Sequence, residues 1–269
     1  MRLAIGLQYD GAAFRGWQTQ SGGGTVQDAL ERALAQLAGA PVPTICAGRT
    51  DAGVHATYQV VHIDPPVERP LQAWVRGVNS HLPAAAAVRW AVPVPAAFHA
   101  RFSATARRYD YWLLNDPVRS PLLAQRCGWM PRPLAVEPMR QAAALLVGRH
   151  DFSAFRAAEC QAASPVRELR QLTIERFGRL IRFRLVANAF LHHMVRNLVG
   201  SLVYVGLGRQ PPGWVGDLLR GCDRRAAAPT FAAAGLYLTA VEYDASFGLP
   251  PPTDDFSPAC GERASRSAD

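Results

Sequence analysis

The run Cys46-Ala47-Gly48-Arg49-Thr50-Asp51-Ala52-Gly53-Val54-His55-Ala56 carries one carboxylate, Asp51, between two glycines. Small neighbours let a backbone approach a ligand closely. A carboxylate placed there can attack an electrophilic carbon, add to an unsaturated ring or remove a proton. Each of these needs the ionised form. Inside a cleft, an ionised carboxylate needs a cationic partner, or its pKa rises. Arg49 stands two residues away, so an extended backbone would put both side chains on one side. Read alone, an Asp between glycines is equally an ordinary turn residue.

The other chemistry-bearing residues are mostly basic or aromatic. Arg15, Arg101, Arg107 and Arg108 are candidate phosphate contacts. Tyr109, beside Tyr111 and Trp112, offers a ring on which a base could stack. His192 and His193 are adjacent. Metal-binding histidines on a helix sit four apart, and no nearby Asp, Glu or Cys completes a set, so no metal is expected and His192 reads as a polar contact to a nucleic-acid partner or to a neighbouring domain. Arg196 follows His192 by four residues, which predicts a shared helix face.

These residues need elements to position them. Loose alternation predicts a strand over 2–9, with a turn at Asp10-Gly11. Thr25 to Asp28 has the form of a capping box, and the apolar spacing from Val26 to Leu37 predicts a helix stopped at Gly39. Strands are expected at 44–46 and 58–63, on either side of the Asp51 run, and a helix at 71–82 and a strand at 88–94 complete the first half. In the second half, strands are expected at 107–114, 169–176, 180–186 and 236–241. Helices are expected at 136–146, over Leu191 to Val205 with one apolar face, and at 214–219. Strands and helices mix without strict alternation, which predicts an α+β fold. The expected division is 1–100 carrying the Asp loop, 101–248 rich in Arg, and a disordered acidic tail over 249–269. A cleft between the two halves is the expected place for a site.

The charge is unevenly spread. The chain has 269 residues, 29 basic residues that are all Arg, and a net charge of +8. Residues 1–100 hold 7 Arg against 6 acids, 101–225 hold 20 against 9, and 226–269 hold 2 against 6. A bias toward Arg over Lys can reflect coding, but clustering in the middle points to a polyanion such as nucleic acid. Five cysteines, odd in number and without a Cys-x-x-Cys pair, argue against a disulfide framework or a zinc site. With no long apolar run and no signal-like start, the expected setting is the cytoplasm.

Several of these segments together resemble one family. Ala47 to His55 resembles the catalytic segment of the A-type tRNA pseudouridine synthases, whose essential Asp falls on Asp51. Tyr9-Asp10-Gly11, Phe14 and Gly16-Trp17-Gln18 resemble the family's N-terminal signature. Phe98 to Ala104 with Arg107-Arg108-Tyr109, Asn188 to Asn197, and Gly235 to Leu238 resemble its later blocks, in order. The resemblance spans about residues 2–245 and omits the tail. It implies a pseudouridine synthase fold: two α+β halves, with a mixed, largely antiparallel sheet flanking a central basic cleft. It implies isomerisation of uridine to pseudouridine at positions 38, 39 and 40 of the tRNA anticodon stem-loop, with no cofactor or metal, by a homodimer. Asp51 would be catalytic, Arg196 would pair with it, Tyr109 would hold the base, and Arg49 would position the carboxylate or bind phosphate. A non-catalytic RNA-binding module shares the charge but does not need Asp51. A glycoside hydrolase needs a second acid, and residues 40–60 offer only Asp51.

Overall fold

The computed structural model describes residues 1–253 and 256–258. The chain separates into two compact units. The first comprises residues 1–106 with the described part of 237–255. The second comprises 107–236 with the described part of 256–269. The first unit therefore takes its last strand from beyond the second, which a linear division at residue 100 does not capture.

In the first unit the strands are β1 (Arg2–Tyr9), β2 (Ile45–Cys46), β3 (His55–Ile63), β4 (Ala86–Val94) and β10 (Leu236–Glu242). Their order is β4-β1-β3-β10, with β2 on β3. β1 pairs antiparallel with β3 and with β4, whereas β3 and β10 run parallel, Tyr237 opposite His55. Leu3, Ile5 and Leu7 are buried, as are Ala4 and Tyr9, so β1 is covered along most of its length. That explains its near-continuous apolar sequence. Helix α1 (Val26–Ala38) starts at Thr25 with the expected capping box and ends at Gly39 in the left-handed region. It buries Val26, Leu30 and Leu34. Helix α2 (Leu71–Asn79) buries Trp74 and Val78. It stops three residues short of the expected end, where Asn79 turns to bond the backbone of Val88 in both directions.

In the second unit the strands are β5 (Ala106–Asn115), β6 (Gly128–Met130), β7 (Gly148–Asp151), β8 (Val166–Phe177) and β9 (Leu180–Ala187). The order is β5-β9-β8-β7, antiparallel throughout, and β6 pairs parallel with β5. The hairpin β8–β9 turns at Gly178, as its φ of 56° requires. Helices α3 (Val136–Ala144) and α5 (Trp214–Gly221) match the apolar spacing. Helix α4 (Met194–Gly206) departs from it in two ways. It begins at Met194, after His192 and His193, and it is buried on nearly every side. Leu198 and Leu202 form the expected face, but Val199, Gly200 and Val203 fill the opposite one. β6 and β7 were not expected. Each is only three or four residues long, too short for a periodic signal.

Each unit is a mixed, largely antiparallel sheet with packed helices, in agreement with the α+β expectation. Beyond Gly248 the described residues hold no helix or strand, and the Tyr58 hydroxyl donates to the Pro250 carbonyl. Of the expected tail, residues 254–255 and 259–269 lie outside the described residues. Among the described residues, no helix is long and apolar enough to cross a membrane.

Candidate active site

In the first unit, residues 47–54 leave β2 and return to β3 without regular structure. The return is a turn closed by the Val54 N–H donating to the Asp51 carbonyl at 3.1 Å, with Gly53 at φ 77°. A side chain at 53 would be strained there, which accounts for the glycine after Asp51. Asp51 is half-buried and Arg49 is exposed. The turn thus begins at Asp51 itself, at the end of the segment that carries Arg49.

Three other segments hold this loop. The Trp17 N–H donates to the Thr50 carbonyl at 2.9 Å, and Gly16, at φ 91°, packs against the backbone of 50–52. A Cβ at Gly16 would lie 2.9 Å from the Thr50 carbonyl oxygen, and one at Gly11 only 2.0 Å from that of Val54. The Gly-x-x-x-x-Gly spacing of 11–16 is therefore required by close approach to the loop. From β1, the Tyr9 and Thr50 hydroxyls share a hydrogen bond at 2.9 Å. From β3, the Gln59 side-chain amide donates to the Gly48 carbonyl at 2.7 Å and to the Tyr9 hydroxyl at 3.4 Å. Trp17 is 1% exposed and its ring lies 6.1 Å from that of Tyr9, so it serves packing. His55, at the start of β3, accepts the Gly11 N–H at Nδ1 and stacks on Tyr237 at 4.5 Å.

Burial pushes the Cys46 thiol up to about 12, while Arg49 and Arg101 both pull it the other way, so both guanidinium groups lie close enough to act on one sulfur. Arg101 is exposed beside Phe102, with its guanidinium carbon 5.6 Å from the ring centroid. Arg15 is exposed, and its backbone N–H closes onto the Gly24 carbonyl.

In the second unit, Tyr109 lies in the middle of β5, opposite Leu185, with its ring 5.1 Å from Phe190 in an edge-to-face arrangement. It is 8% exposed. Arg107 donates to the Asn188 carbonyl at 2.9 Å, and Arg107 and Arg108 are half-buried. Arg196, in the first turn of α4, donates from Nε to the Phe231 carbonyl at 2.8 Å, and the Phe231 N–H returns to the Arg196 carbonyl at 3.2 Å. The next residue, Asn197, is fully buried. Its amide donates to Phe155 and its oxygen accepts from Arg224 and Thr230. That knot fixes the turn from which Arg196 projects. His192 does not share a face of α4 with Arg196, because the chain ahead of the helix bends through His193 at φ 62°. The bend is held by the Ala157 N–H on the His192 carbonyl and the His192 N–H on Cys160 Sγ. His192 is exposed.

Thr50, Tyr9, Gln59 and Asn197 had no place among the expected site residues. Gln59 was hidden by its position, a polar residue in the strand expected over 58–63. Its total burial is the signal, and only the fold reveals it.

The first unit thus presents a half-buried carboxylate on a loop braced by hydrogen bonds from β1, β3 and the Gly16–Trp17 segment. The profile of the family described as "tRNA pseudouridine synthase" matches residues 6–103 and 142–244. The chain belongs to this family. It is 59% identical over 256 residues to tRNA pseudouridine synthase A of Dechloromonas aromatica (strain RCB), covering 95% of this chain and 98% of that one. It is 57% identical over 251 residues to tRNA pseudouridine synthase A of Burkholderia lata, covering 93% of each. Among solved structures, a chain from the crystal structure of a Cbf5-Nop10-Gar1 complex aligns only weakly. Its TM-score is 0.37 at 12% identity, over 88% of this chain and 48% of that one.

Proposed function

We propose that this protein isomerises uridine to pseudouridine at positions 38, 39 and 40 in the anticodon stem-loop of tRNA, with Asp51 as the catalytic carboxylate. The observation that carries the reading is the Asp51 loop, in a chain that belongs to this family. The loop is pinned by hydrogen bonds at Gly48, Thr50 and Asp51, and it leaves Asp51 half-exposed. A rigid loop with one accessible carboxylate suits a reaction in which the enzyme supplies positioning and a single reactive group.

The reaction is balanced within the substrate. The C1′–N1 bond breaks, the uracil turns, C5 bonds to C1′, C5 gives up its proton, and N1 gains one. No group leaves and no redox change occurs, so neither a cofactor nor a metal is required. Asp51 acts ionised, by attack on C1′, by addition to C6 or by removing a sugar proton. Arg196 supplies the cation that keeps such a carboxylate charged, and Tyr109 holds the uracil after it leaves the stack. Arg49 positions the carboxylate or contacts the adjacent phosphate. Arg15, Arg101, Arg107, Arg108 and His192 are RNA contacts. The protein works in the cytoplasm as a homodimer.

The test is pseudouridine formation in an unmodified tRNA transcript with uridine at 38–40. Wild type should convert it. Asp51→Asn should lose at least ~10³-fold in single-turnover rate with tRNA binding retained, the scale expected when a reacting group is deleted. Equal activity in both proteins would remove Asp51 from the mechanism. Binding without conversion by wild type, across several such tRNAs, would favour a binding module.

A further inference from the structure

We infer that Tyr9, Thr50 and Gln59 form a buried positioning unit that sets the placement of Asp51. The inference rests on the catalytic role proposed above for Asp51. These are three polar side chains from three separate parts of the chain. Tyr9 ends β1, Thr50 immediately precedes Asp51, and Gln59 lies in the middle of β3. They are 3%, 7% and 0% exposed. Gln59 donates to the Tyr9 oxygen at 3.4 Å, and the Tyr9 and Thr50 hydroxyls share a hydrogen bond at 2.9 Å. The same Gln59 amide nitrogen donates to the Gly48 carbonyl at 2.7 Å, and its oxygen accepts the Val60 N–H at 3.2 Å.

Burying polar atoms is unfavourable unless they are paired, and an apolar trio could fill the same space without that cost. A buried network that is fully paired does something an apolar core does not: it fixes one arrangement. Here the arrangement fixed is that of the loop. The two strands are rigid elements of the sheet, and the network ties them to Gly48 and Thr50, on either side of Arg49. Through Gly48 and Thr50 the network holds the backbone from which Asp51 extends. Displacing a catalytic group by about 1 Å can slow a reaction ~10²-fold, so the brace should be visible in rate rather than in binding.

Thr50→Val replaces the hydroxyl with a methyl of nearly equal size and leaves the Trp17 bond to the Thr50 carbonyl in place. Tyr9→Phe removes one oxygen. Three readouts are needed: the single-turnover rate at saturating enzyme, the Kd for unmodified tRNA, and the melting temperature. Thr50→Val and Tyr9→Phe are each expected to slow the chemical step by ~10–100-fold, with Kd within about 2-fold of wild type. The double variant should be no slower than the worse single variant, because both cut one chain of bonds. Thr50→Ser, which keeps the hydroxyl, should retain most of the rate. A purely structural brace would lower the melting temperature and leave the rate per folded molecule unchanged; that result overturns the inference. Should Thr50→Val fail to fold, Tyr9→Phe decides by the same criteria. Asp51→Asn run in parallel separates the two readings. If it remains active, the catalytic assignment fails. If it is inactive while Thr50→Val and Tyr9→Phe react as wild type, only the positioning unit fails.

Discussion

His62 shows how one residue ties local chemistry to stability. It lies near the end of β3, 3% exposed, and its Nδ1 accepts the Ala100 N–H at 3.1 Å. Burial lowers its pKa to about 4, with Arg2 and His99 acting in the same direction and Asp64 opposing them. The folded protein therefore holds His62 neutral well below the pH at which the unfolded chain, near 6.5, takes up a proton. Stability is full above that value, falls as pH drops from about 6.5 to 4, and falls no further from this residue below 4. The linked loss over that whole span is on the order of 3 kcal/mol. Thermal melts at pH 7.5 and pH 5 should differ less in His62→Gln, which keeps an acceptor for Ala100 but no titration, than in wild type. An unchanged difference would show that another group carries the pH dependence. At the same scale, Asp51 was visible in the sequence through its neighbours, whereas its brace was not. Tyr9 and Gln59 lie 42 and 8 residues away from it along the chain, and no local pattern links them to it.

At the scale of elements, the helices whose ends are written locally were the most legible. Thr25 caps α1 through its side chain, which accepts the Asp28 N–H, and Asp28 returns to the Thr25 N–H. Asp28 is held below its ordinary pKa; its burial opposes this, but the Thr25 and Thr19 hydrogen bonds outweigh it. Thr25→Ala should cost about 1 kcal/mol, read as a lower denaturant midpoint at unchanged slope. A midpoint within error of wild type would mean that tertiary packing alone sets the helix start. Because the Val26 and Gln27 N–H groups at the start of α1 donate to the Gly16 and Trp17 carbonyls, and that segment packs against the Asp51 loop, the variant also tests how far the loop depends on the helix behind it. Helix α4 was legible in register but not in its start or its burial. Apolar spacing extended it back to Leu191, yet the left-handed turn at His193 is fixed by contacts to Ala157 and Cys160, some thirty residues earlier.

For the whole molecule, the count of arginines overstates the free positive charge. Arg184 is paired twice with the buried Asp110, and Arg182, Arg179, Arg140, Arg170, Arg220 and Arg225 each meet an acid. The exposed pairs among these contribute little to stability. They do reduce the charge offered to a polyanion within 101–225, so tRNA affinity should be salt-dependent but less steep than twenty arginines suggest. Between 50 and 200 mM salt, affinity is expected to fall more than ~10-fold, with a log–log slope reporting the phosphates engaged at about 0.9 each. A flat response would show that charge does not carry the binding.

The sequence by itself determined the longer strands and helices, because each periodic segment carries its own apolar pattern and its own stop signals, whereas the short β6 and β7 carry none. It also determined the residue expected to react, because Ala47 to His55 is a contiguous run whose residues need no fold to be recognised together. Only the tertiary structure decided the return of β10 to the first unit, the bend before α4, and the buried bonds from Tyr9 and Gln59 to the Asp51 loop. Each of these depends on groups far apart in the chain, whose pairing is enforced by the desolvation cost of leaving a buried polar atom unbonded, and that cost exists only once the chain has folded around it.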